Sequence, residues 1–426
     1  MGLAVGCLAA IGCSTPGDGG KARPPNVVVV LVDDLGVEGL SCYGGESYAT
    51  PHLDALAGSG RRFTAAHTTQ LSTPSRVRLL TGREGLRSYV DFSVLDRDER
   101  TFAHLLGDAG YATGVAGKWQ LFGARHYGER AGRGTRPEDA GFDTWCLWQV
   151  EELGSRYADP TVEVDGELRI LEGAYGPEVF CDWALEFVRD HRDEPFLLFL
   201  PMALTHDPFE PTPLSDHDGD DRSRTFGDMV AYTDLVVGRL VDELERLGLR
   251  ERTLLVFTTD NGSPRQITSR LDGREIRGGK GRTTDAGTHV PLIVSWPDVI
   301  PPGVCDDLVD LVDVLPTVVE ATGATLPDDL QARVNMHMKH VHERTGGSTS
   351  SRIRIRPDAR RKEESLRFAE LISDIRSYAE GVGLSAAEVI ATAFSTDEIT
   401  TDVVTAHQWN REAPLQVAGL DLGRSP

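Results

Sequence analysis

The chain has 426 residues and a formal net charge of −22, from 44 lysines and arginines against 66 aspartates and glutamates. This length can bury a substantial core, as one large domain or as one large and one small domain. The strong negative charge argues against a nucleic-acid partner, and a site for an anion must collect lysine, arginine and histidine side chains in one cleft.

The first 25 residues differ in composition from the rest of the chain. Small apolar residues dominate up to Cys13, and a polar, glycine-rich stretch follows. This pattern is typical of the end of an export signal with lipoprotein-type cleavage before Cys13, or less favourably before Cys7; the alternative is an N-terminus without a role. We therefore expect an exported protein, periplasmic or at the cell surface, with Cys13 as its candidate lipid anchor. The other four cysteines lack the spacing of a zinc site and define no disulfide framework.

Hydrophobic patterns divide the rest of the chain into alternating strands and helices. Continuous apolar runs, typical of strands buried in a parallel sheet, occupy Asn26–Val32, 112–116, 196–204 and Thr253–Thr259. Helical spacing predicts helices at 51–58, 101–109, 177–191, 225–247 and 310–323, and a further strand is expected at 291–296. Turn-forming residues over 157–173 predict a loop or hairpin that faces the substrate. The pattern indicates an α/β fold.

Four of the predicted strands end in polar side chains. These are Asp33 and Asp34, Lys118, His206, and Asp260 and Asn261. Because ligands bind at the carboxyl ends of strands in parallel α/β sheets, we expect these groups to meet at one edge. The three carboxylates and the amide form an all-oxygen set suited to Ca²⁺ or Mg²⁺. When each strand is considered alone, the polar residues at its end could equally form a solvated turn.

The segment from Leu71 to Arg83 reads Leu-Ser-Thr-Pro-Ser-Arg-Val-Arg-Leu-Leu-Thr-Gly-Arg. Pro74 fits the first turn of a helix, which makes Ser72 a candidate N-cap. A group there lies against free backbone N–H groups and the positive end of the helix dipole, which favours a developing anion. Arg76 follows within one turn. The alternative is that the segment is simply a capped helix with a surface arginine and has no catalytic role.

Three segments together resemble one family. Ser-x-Pro-Ser-Arg-x-x-Leu-x-Thr-Gly-Arg, from Ser72, is similar to the signature of the formylglycine-dependent sulfatases, arylsulfatase-like members of the alkaline phosphatase superfamily. Gly-Tyr-x-Thr-x-x-x-Gly-Lys-Trp, ending at Trp119, resembles their second signature. The glycine-rich segment from Arg277 to Pro291 partly resembles the one that carries a second sulfate-binding lysine, here Lys280.

The resemblance implies a three-layer fold of the alkaline phosphatase type, a mostly parallel sheet between helices. It implies that a serine-type maturase oxidises Ser72 to formylglycine. It also implies a divalent cation, Ca²⁺ rather than Mg²⁺, held by Asp33, Asp34, Asp260, Asn261 and residue 72. The implied catalytic residues are Ser72, Arg76, Lys118, His206 and Lys280, of which Lys118, His206 and Lys280 would bind the sulfate group.

The chain departs from the family at two candidate site positions. Gln120 stands where a histidine that assists sulfate release is usual, and glutamine cannot transfer a proton at neutral pH. His289 stands where arginine is usual. We therefore expect slower release of sulfate, with His289, a metal-bound water or a substrate group as candidate replacement bases.

The likeness ends near residue 330. Residues 26–330 are predicted to form the catalytic domain, and 331–426 an unassigned tail that is first basic and then helical in composition. The family's small C-terminal antiparallel sheet is therefore expected to be absent or replaced.

The implied function is hydrolysis of sulfate esters, on a sulfated small molecule or polysaccharide, with carbohydrate favoured. Two alternatives stay open at this point. One is a phosphatase or phosphodiesterase of the same superfamily that uses Ser72 directly with two metals. The other is a sulfatase-like protein that binds sulfated glycans without turnover.

Overall fold

A ten-stranded sheet organises residues 23–327, the part of the chain that the computed structural model describes. The predicted leader with Cys13 and the tail after residue 330 lie outside the described residues. In these residues the strands are β1 Asn26–Val32, β2 Arg61–His67, β3 Tyr89–Asp91, β4 Val94–Leu95, β5 Ala112–Gly117, β6 Thr144–Trp148, β7 Thr161–Val164, β8 Glu167–Ile170, β9 Phe196–Pro201, β10 Thr253–Thr259, β11 Thr268–Leu271, β12 Arg274–Arg277, β13 Leu292–Ser295 and β14 Gly303–Asp310. The helices are α1 Pro51–Ser59, α2 Ser72–Thr81, α3 Gly85–Ser88, α4 Phe102–Asp108, α5 Gly176–Asp190, α6 Arg222–Arg246, α7 Asp285–Thr288 and α8 Val314–Thr322.

The central strands are parallel, as predicted. The sheet order is β14-β2-β13-β10-β1-β9-β5-β6-β7-β8, and β10, β1, β9, β5 and β6 pair in parallel. Strand β13 runs antiparallel to both its neighbours, and β7 and β8 form an antiparallel hairpin at one edge. The parallel centre aligns the carboxyl ends of the strands, with Val32 opposite Thr259 and Leu31 opposite Pro201.

Helices cover both faces of the sheet and complete three layers. Successive residues of a strand point to opposite faces, so Val28, Val30 and Val32 join one core cluster, which includes residues of α1, α5 and α6. Val27, Val29 and Leu31 join the other cluster, which includes residues of α2, α4 and α8. The predicted three-layer architecture is therefore confirmed.

Two sequence predictions need correction. The strand predicted at 196–204 ends at Pro201, and the remaining residues form the loop that carries His206. The helix predicted at 310–323 begins as a short 3-10 helix at Leu311–Asp313, capped by Asp310 at the end of the edge strand β14, and becomes α-helical at Val314. The segment 157–173 contains the β7–β8 hairpin, one of the two forms predicted for it.

Two negative findings hold within residues 23–327. Cys42, Cys146, Cys181 and Cys305 are all free thiols. None of the helices there combines the length and the apolar character that crossing a bilayer requires.

Candidate active site

The polar strand ends meet at one edge of the sheet, as the sequence predicts. Because Val32 lies opposite Thr259, the next residues of the two strands are neighbours, and the Asp34 amide donates to Asp260 Oδ1 at 3.1 Å. From the next strand, the Thr205 amide donates to the Asp33 carbonyl at 2.6 Å. These backbone contacts place the ligand residues before any ion is considered.

Glycine allows the ends of β5 and β9 to approach closely. Gly117, the last residue of β5, has φ 122°, and a Cβ atom there would lie 2.1 Å from the Pro201 carbonyl oxygen. The next amide, of Lys118, donates to that same oxygen at 2.6 Å. A side chain at position 117 would therefore push Lys118 out of the site.

Oxygen atoms without partners mark a pocket for a hard cation. Asp33 Oδ1, Asp260 Oδ2 and Asn261 Oδ1 are buried and accept no hydrogen bond. Asn261 Nδ2 donates to Asp34 Oδ1 at 2.7 Å, which turns the amide oxygen away from Asp34. Buried acceptors without partners are costly, and carboxylate and amide oxygens are the ligands that Ca²⁺ and Mg²⁺ prefer. The donor set therefore fits such an ion. Asp33, Asp34 and His206 also lie close enough to share an ion.

Two lysines oppose the acidic charge. Lys118 Nζ donates to Asp33 Oδ2 at 2.5 Å, and Lys280 Nζ donates to Asp34 Oδ2 at 2.6 Å. Burial raises the pKa of Asp33, but Lys118, His206 and Lys280 outweigh this effect and hold the pKa far below its usual range. Burial lowers the pKa of Lys280, but Asp34 and Asp33 outweigh it and raise the pKa above its usual value. These shifts favour the charged forms of Asp33 and Lys280, whereas burial lowers the pKa of Lys118 although Asp33 acts in the opposite direction.

Asp260 differs from the other two carboxylates. Burial and the charges of Asp33 and Asp34 raise its pKa to about 8, although Lys118 and Ser72 act in the opposite direction. A carboxyl with a pKa near the working pH can take up and release a proton.

The motif helix brings Ser72 to this cluster, with one correction to the prediction. Ser72 is the first residue of α2, and the N-cap is Leu71, which makes no side-chain cap. The Ser72 Oγ atom lies 3.4 Å from Lys118 Nζ. It is also close enough to Asp260 to lower the pKa of that carboxyl. The predicted buried face of α2 is confirmed, since Val77, Leu79 and Leu80 are fully buried.

Arg76 lies beneath the site rather than on its surface. Its side chain is 1% exposed, and Nη2 donates to the carbonyls of Lys118 and Trp119. Its Nε and Nη1 atoms are buried without a partner. Arg76 therefore anchors the segment that carries Lys118 and adds a positive charge behind it.

His206 completes the cluster. Its Nε2 atom lies 3.8 Å from Asp34 Oδ2. Arg156 and Tyr157, which the sequence analysis did not single out, contact the loop around it.

Gln120 and His289 have their contacts elsewhere. Gln120 follows the Lys118 segment, and its Nε2 donates to the Tyr127 hydroxyl at 2.8 Å. His289 Nε2 lies 2.9 Å from the Thr64 carbonyl, and the ring stacks on His67 at 5.0 Å. The other nine candidate residues are linked to one another by hydrogen bonds, ion pairs or electrostatic effects, whereas Gln120 and His289 have their hydrogen bonds outside that group.

Lysine is confined to this cluster in the described part of the chain. Between residues 23 and 327 the sequence contains Lys118 and Lys280 and no other lysine, and arginine supplies the remaining basic side chains. Together with His206 and Arg76 they give the local positive charge that an anion site in this acidic chain requires.

Comparison with known proteins identifies the family. Residues 25–324 match the family model described as Sulfatase. Arylsulfatase A of Homo sapiens is 35% identical over 346 residues, which cover 72% of this chain and 66% of that protein, so the chain spans about two thirds of this relative's length. N-acetylgalactosamine-6-O-sulfatase of Bacteroides thetaiotaomicron is 30% identical over 396 residues, which cover 75% of this chain and 77% of that protein.

A solved structure agrees with the sequence comparison. The crystal structure of PsFucS1 sulfatase from Pseudoalteromonas sp. has a TM-score of 0.58 and 27% identity, covering 72% of this chain and 69% of that chain. The chain therefore belongs to the sulfatase family and has the fold of the alkaline phosphatase superfamily.

Proposed function

We propose that this protein hydrolyses sulfate esters and that Ser72 is converted to formylglycine before catalysis. The observation that carries the proposal is the position of residue 72, with its Oγ 3.4 Å from Lys118 Nζ, beside a pocket of buried oxygens without partners. The hydrated aldehyde would supply one hydroxyl to attack sulfur and a second to expel sulfate.

The other site residues have separate proposed roles, of which cation binding is the first. Asp33, Asp34, Asp260 and Asn261 would hold the divalent cation, whose chemistry is to polarise oxygens bound to it. We propose Ca²⁺ rather than Mg²⁺, because Ca²⁺ accepts a flexible set of oxygen ligands while Mg²⁺ demands near-ideal octahedral geometry. We assign His206 to the substrate rather than to the cation, although it lies near the same carboxylates.

Charge on the transferring sulfuryl group would be stabilised by Lys118 and Lys280. Both ammonium groups are fixed by ion pairs before the substrate arrives, and preorganised charges of this kind act strongly where water is excluded. Asp260, whose carboxylate lies beside Ser72, would accept the proton of the attacking hydroxyl. His206 Nε2 would give a proton to the departing oxygen.

The substrate class is proposed as sulfated carbohydrate. Similarity to an N-acetylgalactosamine-6-O-sulfatase supports a sugar sulfate, and a serine-type maturase and an exported location belong to the same proposal. The phosphatase alternative needs a second metal centre. Within residues 23–327, one group of three or more acidic, histidine or cysteine side chains is close enough to hold an ion, which favours the sulfatase function.

The test is production of the protein with and without a serine-type maturase. The tryptic peptide 63–76 should lose two hydrogens at Ser72 when the maturase is present, and hydrolysis of 4-nitrophenyl sulfate should appear with it. Ser72→Ala is the control. A fully modified peptide without sulfate release, in the presence of CaCl₂, would contradict the function and favour binding without turnover.

A further inference from the structure

The loop that carries His206 is held by two consecutive side chains of the segment between β6 and β7. The Tyr157 hydroxyl lies 2.7 Å from the Ala203 carbonyl and 2.6 Å from the His206 carbonyl. Arg156 Nη2 donates to the Asp207 carbonyl. The two side chains thus bind carbonyl groups on both sides of the histidine.

Arg156 is an unusual buried cation. Its side chain is 9% exposed, its Nε is buried without a partner, and among the described residues no carboxylate forms a salt bridge with it. The guanidinium carbon instead lies 4.8 Å from the Trp148 ring centroid and 5.3 Å from that of Tyr157. Burying a charge without a counter-ion costs free energy that stacking on aromatic rings offsets only in part. A structural ion pair therefore does not explain this residue.

The contacts of Arg156 bear on the orientation of the histidine ring. His206 Nδ1 lies 2.6 Å from the Asp207 carbonyl oxygen, the same oxygen that accepts from Arg156 Nη2. Arg156 Nη2 also contacts His206 Nδ1 itself at 3.0 Å, so the guanidinium holds both the ring nitrogen and the carbonyl beside it. With Nδ1 fixed at this carbonyl, Nε2 is the ring atom directed to the site, 3.8 Å from Asp34 Oδ2.

We propose that Arg156 is a positioning residue for His206, which acts by fixing the Asp207 carbonyl so that Nε2 faces the departing ester oxygen. This inference rests on the proposed hydrolysis of sulfate esters. During transfer, sulfur bonds to the oxygen of residue 72 while its bond to the ester oxygen breaks. The electron pair stays on the ester oxygen, which takes the proton that His206 Nε2 donates.

A series of aryl sulfates tests the proposal, because leaving groups differ in their need for a proton. 4-Nitrophenol leaves readily as the anion, whereas 4-methoxyphenol depends on protonation. For Arg156→Met we expect kcat/KM to fall at most about threefold with 4-nitrophenyl sulfate and about tenfold to a hundredfold with 4-methoxyphenyl sulfate, within the range of general acid catalysis. Arg125→Met is the matched control, since Arg125 is 67% exposed and pairs with Glu151; it should leave both values unchanged.

A double substitution separates positioning from general structural damage. In a His206→Gln background, adding Arg156→Met should cost less than about twofold with either ester, because residues that act as one unit are not additive. If Arg156→Met does not fold, Arg156→Lys gives the same comparison, since one ammonium does not reproduce the planar fork of donors.

Specific results would overturn the inference. These are equal losses with both esters, a full additional loss in the double variant, or a fall in Ca²⁺ affinity without a change in leaving-group dependence. A modified wild type that hydrolyses neither ester would contradict the proposed function as well, so the two failures are distinguishable.

Discussion

Lys118→Met removes a fully buried positive charge next to residue 72 while keeping a side chain of similar length. The Nζ atom lies 2.5 Å from Asp33 Oδ2 and 3.4 Å from Ser72 Oγ. Loss of one preorganised donor to a transition-state oxygen typically costs about 10²–10³-fold in kcat. We expect a fall of that size in kcat/KM for 4-nitrophenyl sulfate.

The same substitution should have opposite effects on stability and on cation binding. Removing one partner of a buried ion pair costs about 3–5 kcal/mol, and here the lower end applies because Lys280 and His206 also stabilise the Asp33 carboxylate. The free energy of unfolding should therefore fall by about 3 kcal/mol without added cations. Ca²⁺ should bind about tenfold more tightly, since a repelling charge has left the acidic cluster.

Three measurements on one preparation check this prediction: the mass of the peptide with residue 72, steady-state hydrolysis, and thermal unfolding in EDTA and in CaCl₂. Arg136→Met is the matched control, because it removes an arginine that pairs with Glu163, 4% exposed, on another part of the molecule. The control should lose stability but keep activity and Ca²⁺ affinity. If Lys118→Met kept kcat/KM within about threefold, or bound Ca²⁺ more weakly than the wild type, the charge balance described for the site would be wrong.

Three further predictions concern other parts of the structure. Gln120→His should raise steady-state turnover several-fold and shorten the slow phase after a pre-steady-state burst, because it supplies a proton-transfer group; unchanged rates would contradict a role for this position. Chelation of divalent cations should lower Tm, and CaCl₂ at about 100 times its Kd should restore about 2.7 kcal/mol, more than MgCl₂ does; equal Tm in EDTA and CaCl₂ would exclude a cation in the pocket. Hydrogen bonds from Arg246 and Arg189 outweigh burial and lower the pKa of Glu243 to about 2, so its stabilisation is full above pH 4.5 and lost as the pH falls toward 2. Because both arginines are about half exposed, Glu243→Gln should cost only about 1 kcal/mol at pH 7, and a urea unfolding series should show this difference vanish near pH 2 rather than persist.

The ligand residues were predictable because they follow buried strands directly. A continuous apolar run such as Asn26–Val32 is expected to form a buried strand of a parallel sheet. The residue after it must then lie at the carboxyl edge of that sheet. Asp33, Asp34, Asp260 and Asn261 could therefore be placed together from the order of the sequence, and the partnerless oxygens agree with that placement. The net charge was informative too, because an anion site in so acidic a chain requires basic side chains clustered in one place.

The sequence predictions were wrong or incomplete where tertiary contacts determine the local structure. Strand β14 carries acidic residues among its apolar ones and lies at the edge of the sheet, so its sequence pattern is weak. The capping box at Asp310 starts the 3-10 helix Leu311–Asp313 that leads into α8, which is why the helix is predictable and the strand before it is not. The N-cap at Leu71 depends on backbone angles that Pro74 does not fix. The sequence around Arg156 gives no indication of its contact with His206, because the histidine is 50 positions away along the chain.

The confinement of lysine to the site has a practical consequence for residues 23–327. A reagent that acylates primary amines has two targets in that part of the chain, Lys118 and Lys280, and both are shielded by ion pairs within the anion pocket. Lys280 is 23% exposed and Lys118 only 1%, so labelling is expected at Lys280 and should fall as sulfate or an uncleaved ester fills the pocket.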